Sequence, residues 1–231
     1  MVDRNRRGAR AIAVASGKGG VGKSVFVVNL ALVLARMGYA VLVFDADLGM
    51  ANVDVLLGLT PRYTLYEVVR GVKKLEDIIL VGPYNVKVIP GGSGIVEMAN
   101  LSPGQLMRLG QDLKRLESQA DFILIDTGAG ISRTVVNFIK SSSEVVVMFT
   151  PEPTAITDAY GLIKVISRLN EQPQIRLVVN RVAGKREGDE FLQRMESVVH
   201  QFLRVGTATL GYIVDDRSVE QAVRRQQPFV L

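Results

Sequence analysis

The chain has 231 residues, 48% of them hydrophobic and 22% charged, with no cysteine and a formal net charge of +5. Those proportions exclude wholesale disorder, and the lack of thiols excludes disulfides, thiolate nucleophiles, iron–sulfur clusters and cysteine-held zinc. The longest nearly apolar run, Val25 to Ala35, is too short to span a bilayer, and no signal-peptide core follows Met1, so a cytoplasmic protein is expected.

Residues 1–10 carry Arg4, Arg6, Arg7 and Arg10 against Asp3 and read as a solvated basic arm ahead of one domain over residues 11–231. A strand is predicted at Ala11–Ala15, then a glycine-rich loop and a helix over Val25–Met37. Further strands follow at Ala40–Phe44, Val86–Ile89, Phe122–Ile125, Val145–Phe149, Ile175–Val179 and Thr209–Ile213. Several are continuous apolar runs, the pattern of strands buried on both faces. Helical stripes lie between them: Leu106, Leu109, Leu113 and Leu116, then Phe191, Met195, Val198 and Phe202, with His200 off the second stripe. A last helix is expected over Val219–Gln226, capped by Ser218, with Val219, Ala222 and Val223 facing the core. This alternation predicts an α/β fold, a doubly wound and mostly parallel sheet with helices on both faces. Ligands of such sheets bind at the carboxyl ends of the strands.

The segment Gly17-Lys18-Gly19-Gly20-Val21-Gly22-Lys23-Ser24 follows the first strand, opens the first helix and fits the P-loop pattern. Glycines let successive backbone N–H groups face the phosphates, and the helix N-terminus adds its dipole. Lys23 is expected to reach the β- and γ-phosphates and the Ser24 hydroxyl to ligate Mg²⁺, with Gly17 through Val25 forming the nucleotide loop. Asp126, closing an apolar strand, stands where a metal-side carboxylate belongs. Asp45 and Asp47 emerge on the same sheet edge, where one carboxylate can hold metal-bound water and the other orient the attacking water. The run Gly91-Gly92-Ser93-Gly94 lacks the lysine and following helix of a phosphate loop and reads as a turn or a partner-facing loop.

Lys18 is the unusual residue, since a P-loop needs no lysine so early. The stretch Lys18–Ser24 resembles the deviant Walker A motif of the MinD/ParA family of ATPases. Asp45-Ala46-Asp47-Leu48-Gly49-Met50-Ala51-Asn52 looks like that family's switch I, and Asn180-Arg181 matches its adenine-reading position. Ile89–Gly94, Asp126–Ser132 and Thr150–Tyr160 look like the flagellar-number regulators within it, the FlhG (FleN, YlxH) subgroup.

The resemblance implies an ATP-dependent homodimer that sandwiches two nucleotides and hydrolyses them slowly, as a timer. Lys18 would cross to the partner subunit's phosphates while Lys23 acts within its own site. Asp45 and Asp126 would support the Mg²⁺ shell, Asp47 would position water, and Asn180-Arg181 would read adenine. Apart from the resemblance, Asp215-Asp216 after the strand Thr209–Ile213 reads as part of the loop near adenine, with metal binding as the alternative. Implied partners are flagellar switch and assembly proteins and a GTPase, although Met1–Arg10 holds nothing like a GTPase-stimulating segment. Membrane attachment is expected only in a longer form with a terminal amphipathic helix. The rival is a ParA-like DNA-segregation ATPase, which the surplus positive charge suits. DNA binding is nevertheless not expected.

Overall fold

The computed structural model describes residues 8–94, 96–99 and 101–231, so the first seven residues of the basic arm lie outside it. Arg10, grouped with that arm on charge, instead opens the first strand. The strands are β1 (Arg10–Ser16), β2 (Val41–Ala46), β3 (Leu80–Val81), β4 (Lys87–Ile89), β5 (Phe122–Ala129), β6 (Glu144–Phe149), β7 (Gln174–Val182) and β8 (Thr207–Val214). They form one eight-stranded sheet in the order β3-β4-β2-β5-β1-β6-β7-β8. The pairings are parallel except that of β3 with β4, a two-residue edge strand too short to leave a sequence pattern.

The helices are α1 (Lys23–Arg36), α2 (Val53–Leu56), α3 (Leu65–Val69), α4 (Val96–Ala99), α5 (Pro103–Leu116), α6 (Arg133–Lys140), α7 (Pro153–Ile166), α8 (Lys185–Leu203) and α9 (Arg217–Arg224). No helix among the described residues is long and apolar enough to cross a membrane. Strand side chains alternate between two cores. Ala13, Leu42, Phe44, Ile125 and Val147 lie under α5 to α8, while Val14, Val43, Leu124 and Met148 lie under α1. With both faces covered, the strands read as unbroken apolar runs. Phe44 is wholly buried and meets Phe138 edge-on at 5.2 Å, so its truncation to Ala costs about 3–5 kcal/mol.

Two helices depart from the sequence reading. On α8 the buried positions are Leu192, Met195 and Val199, while Phe202 is 66% exposed. Gly188 sets this rotation. A Cβ there would lie 2.5 Å from the Tyr212 ring, so the helix rests on β8 through its glycine and buries the residues that follow on that side. On α9 no residue is buried, because α1 already covers that part of the sheet. Ala222 and Val223 instead line a shallow cleft against Val25, Val28 and Phe229. The cap of α9 is Asp216, which accepts from the Ser218 amide; Ser218 does not cap it.

The chain leaves central β1 in one direction to build β2 and β4, returns as β5, and leaves in the other direction through β6 to β8. The carboxyl ends of β1, β2 and β5 therefore border the point where the winding reverses, the position where such sheets bind ligands.

Candidate functional site

β1 ends at Ser16, which is fully buried, and the chain then turns through Gly17–Gly22 into α1. Gly17 is required by close approach: a Cβ there would meet the Asp158 carbonyl of α7 at 2.3 Å. Gly22 sits at φ +100°, and a Cβ there would lie 2.6 Å from Asn180 Nδ2. Gly20 is also left-handed, at +77°, and open to solvent together with Gly19, whereas Val21 is buried. No side chain caps α1 and no acid stands in its first turn, whereas Thr64, Ser102 and Ser132 cap α3, α5 and α6. The first amides of α1 thus remain available to an anion.

Lys23 is buried and donates from Nζ to Ser16 Oγ at 2.9 Å, while Ser16 Oγ donates to the Lys18 carbonyl at 2.6 Å. Burial lowers the pKa of this ammonium, and the nearby carboxylates of Asp126 and Asp47 oppose that. The sequence pattern does not single out Ser16, because nothing in the spacing distinguishes the last residue of a strand from a loop residue.

Parallel register places Asp45 beside Asp126 at the ends of β2 and β5. Asp45 is fully buried and accepts from the amides of Asp47 (3.2 Å), Asn52 (2.9 Å) and Val53 (3.0 Å), so the turn after β2 wraps around its own carboxylate. Asp126 is 1% exposed, and neither of its carboxylate oxygens has a hydrogen-bond partner among the described residues. Burial pushes both carboxyls above the ordinary range. The Asp126 charge raises Asp45 further, while Ser24 and Lys23 pull Asp126 back down. Asp47 lies over β5, where a side chain at Gly128 would meet its Oδ1 at 3.4 Å.

A buried carboxylate without a partner is costly, and a cation removes the cost. Among the described residues no set of three acidic, histidine or cysteine side chains converges to hold an ion unaided. A hydroxyl from Ser24, an outer carboxylate from Asp126 and phosphate oxygens form the donor set that suits Mg²⁺, which keeps several waters. The residues present therefore fit a magnesium nucleotide.

Lys18 points away from this cluster. Its Nζ lies 2.6 Å from Glu152 Oε2 and 3.2 Å from Thr154 Oγ1 at the start of α7, and this ion pair holds the Glu152 carboxyl below its ordinary range. Asn180 donates from Nδ2 to the Val21 carbonyl at 2.8 Å and accepts the Arg181 amide at 2.9 Å, which ties the end of β7 to the loop. Arg181 is left-handed, at φ +60°. Asp215 is exposed beyond β8, its amide bound to the Val182 carbonyl at 2.9 Å. Val25 turns its side chain to the cleft beside Phe229, so only its backbone belongs to the loop.

A family model for the CobQ/CobB/MinD/ParA nucleotide binding domain matches residues 12–229. The antiactivator FleN of Pseudomonas aeruginosa is 44% identical over 94% of this chain and 77% of its own length. The flagellum site-determining protein YlxH of Helicobacter pylori is 36% identical over 96% of this chain and 76% of its own. Among solved structures, the septum site-determining protein MinD of Pyrococcus horikoshii, complexed with Mg-ADP, superposes with a TM-score of 0.80. It is 29% identical over 95% of this chain and 87% of its own. The fold is thus a MinD-like P-loop fold.

Proposed function

Because the chain belongs to the CobQ/CobB/MinD/ParA family of nucleotide-binding ATPases, we propose that it is an ATP-driven dimerising switch that hydrolyses ATP slowly and regulates flagellar number or placement. The observation that carries the nucleotide reading is Asp126, a buried carboxylate with no hydrogen-bond partner among the described residues, beside Lys23 and Ser24 at the mouth of a P-loop. The flagellar reading rests on the flagellum site-determining relative, together with the stretches Ile89–Gly94, Asp126–Ser132 and Thr150–Tyr160 that resemble flagellar-number regulators. Surplus charge is all that favours a DNA-segregating role.

The amides of Gly19–Ser24 and the Lys23 ammonium bind the β- and γ-phosphates, and the Asn180 amide hydrogen-bonds adenine with Arg181 and Asp215 around it. The Ser24 hydroxyl, Asp126 and Asp45 would hold Mg²⁺, which would neutralise phosphate charge when bound. Asp47, on the turn that Asp45 organises, orients the attacking water and takes up its proton. Lys18 leaves Glu152 and reaches the phosphates of the partner subunit, so two copies close around two nucleotides. Flagellar assembly proteins and a partner GTPase are the partners in the cytoplasm.

The purified protein should hydrolyse ATP only with Mg²⁺, and chelation should abolish turnover. Cells lacking the gene should carry an altered number of flagella. Turnover that persists in chelator, or unchanged flagellation, would contradict the reading.

A further inference from the structure

The loop Pro90–Gly94 follows β4 and lies against the turn Asp45–Val53 from outside the nucleotide site. Two contacts join them. The Ser93 hydroxyl donates to the Ala51 carbonyl at 2.8 Å, and the Gly94 amide donates to the Gly49 carbonyl at 3.1 Å, a bond that belongs to the antiparallel bridge pairing Met50 with Ser93. The approach is close enough to forbid a side chain at Gly91, where a Cβ would lie 2.7 Å from the Asp45 carbonyl oxygen and 2.9 Å from Ala51 Cβ.

The other side of the loop is anchored too. The Leu65 amide donates to the Pro90 carbonyl at 3.0 Å, and a Cβ at Gly92 would lie 3.1 Å from Thr64 Oγ1, the cap of α3. The loop is therefore fixed to α3 on one side and to the Asp47-bearing turn on the other. On its inner side the Asp45 carboxylate holds that turn, through the amides of Asp47, Asn52 and Val53.

We propose that Pro90–Gly94 is a brace for this turn and that Ser93 is a positioning residue for ATP hydrolysis. Ser93 touches no reacting atom; it fixes the Ala51 carbonyl and hence the placement of Asp47. This inference rests on the ATPase reading above. Displacing a positioning group should slow turnover while leaving nucleotide affinity to the P-loop.

The test compares Ser93→Ala, Ser93→Thr and Gly91→Ala in the full chain. Three quantities are measured: ATP turnover, ADP affinity, and amide hydrogen exchange at Asn52 and Val53 in nucleotide-free protein. Ser93→Ala should lower kcat about fivefold, leave ADP affinity unchanged and speed the two amides by a similar factor, the scale of one net hydrogen bond. Ser93→Thr keeps a hydroxyl and should restore all three values. Gly91→Ala needs no unusual backbone angle, and by pushing Asp45 and Ala51 apart it should cost about tenfold or more in kcat.

Parental exchange in Ser93→Ala would overturn the brace. Faster exchange with parental kcat, or equal loss of kcat and ADP affinity, would overturn the positioning role. Should Gly91→Ala fail to fold, the two Ser93 variants decide alone. If the parent hydrolysed no ATP, the functional reading would fall instead, and the exchange rates would still decide the brace.

Discussion

Both ends of the sheet bury a carboxylate, and they treat it in opposite ways. At the amino end of β6, Glu144 is 7% exposed and clamped by two guanidinium groups, with Arg10 Nη2 at 2.7 Å and Arg176 Nε at 3.1 Å. At the carboxyl end of β5, Asp126 is 1% exposed and its oxygens have no hydrogen-bond partner among the described residues. Paired charge at the first end ties β1, β6 and β7 together and asks for nothing more. The carboxylate at the second accepts no hydrogen bond among the described residues and has only the Lys23 ammonium to offset its burial, a balance that an outside cation completes. The first end is built for stability and the second for a ligand, so substitutions should separate by end.

The largest expected effect is at the ligand end. Asp47→Ala should slow ATP hydrolysis about 10²–10⁴-fold, about 3–5.5 kcal/mol of barrier, while nucleotide affinity stays near parental. Stopped-assay turnover with titration of a fluorescent nucleotide checks both halves. Parental turnover would remove Asp47 from its role and blur the distinction between the ends.

Lys23→Ala should weaken nucleotide binding about a hundredfold or more, because a buried ammonium is lost from the phosphate loop. Thermal stability should change far less than affinity, since Lys23 has only Ser16 as its hydrogen-bond partner in the described structure. Calorimetric titration with ADP and Mg²⁺ measures the loss.

The opposite end should respond the other way round. Glu144→Gln should destabilise the protein by about 1–3 kcal/mol, a range already reduced because water reaches Arg10 and Arg176, whose side chains are 39% and 28% exposed. Nucleotide affinity should not change. The two arginines hold the Glu144 carboxyl below its ordinary 4.5, so its stabilisation is complete above that value and disappears as pH falls beneath it. Denaturant melts of parent and variant should therefore converge in acid.

The smallest effect sharpens the contrast. Asp126→Asn removes a buried charge whose oxygens accept no hydrogen bond among the described residues, so the nucleotide-free protein should melt about 2–4 °C higher while losing Mg²⁺-dependent nucleotide binding. A lower melting temperature would mean that the carboxylate stabilises the fold.

What the sequence revealed follows the same division. The parallel sheet was legible because strands such as Val145–Phe149 lie under helices on both faces and cannot alternate. The P-loop was legible because phosphate binding demands fixed residue types at four places within eight consecutive positions. Long-range contacts were not. Lys18 meets Glu152 across 134 residues, and no local pattern announces that pair. The rotation of α8 depends on Gly188 finding the Tyr212 ring, so a stripe containing Phe202 looked as good as the true one. The cap of α9 moved from Ser218 to Asp216 because both residues are good caps and only the backbone decides between them.

The most direct test of the switch is the mass of the protein in solution, by light scattering, with ATP and Mg²⁺. Lys18 carries the claim, since its Nζ rests on Glu152 in a single chain and must move to the partner subunit's phosphates when two chains close. Asp47→Ala, which retains ATP, should run as a dimer with ATP and as a monomer with ADP. Lys18→Ala should bind the same nucleotide and stay monomeric with either. A Lys18→Ala protein that dimerises with ATP, or an Asp47→Ala protein that never does, would contradict the account.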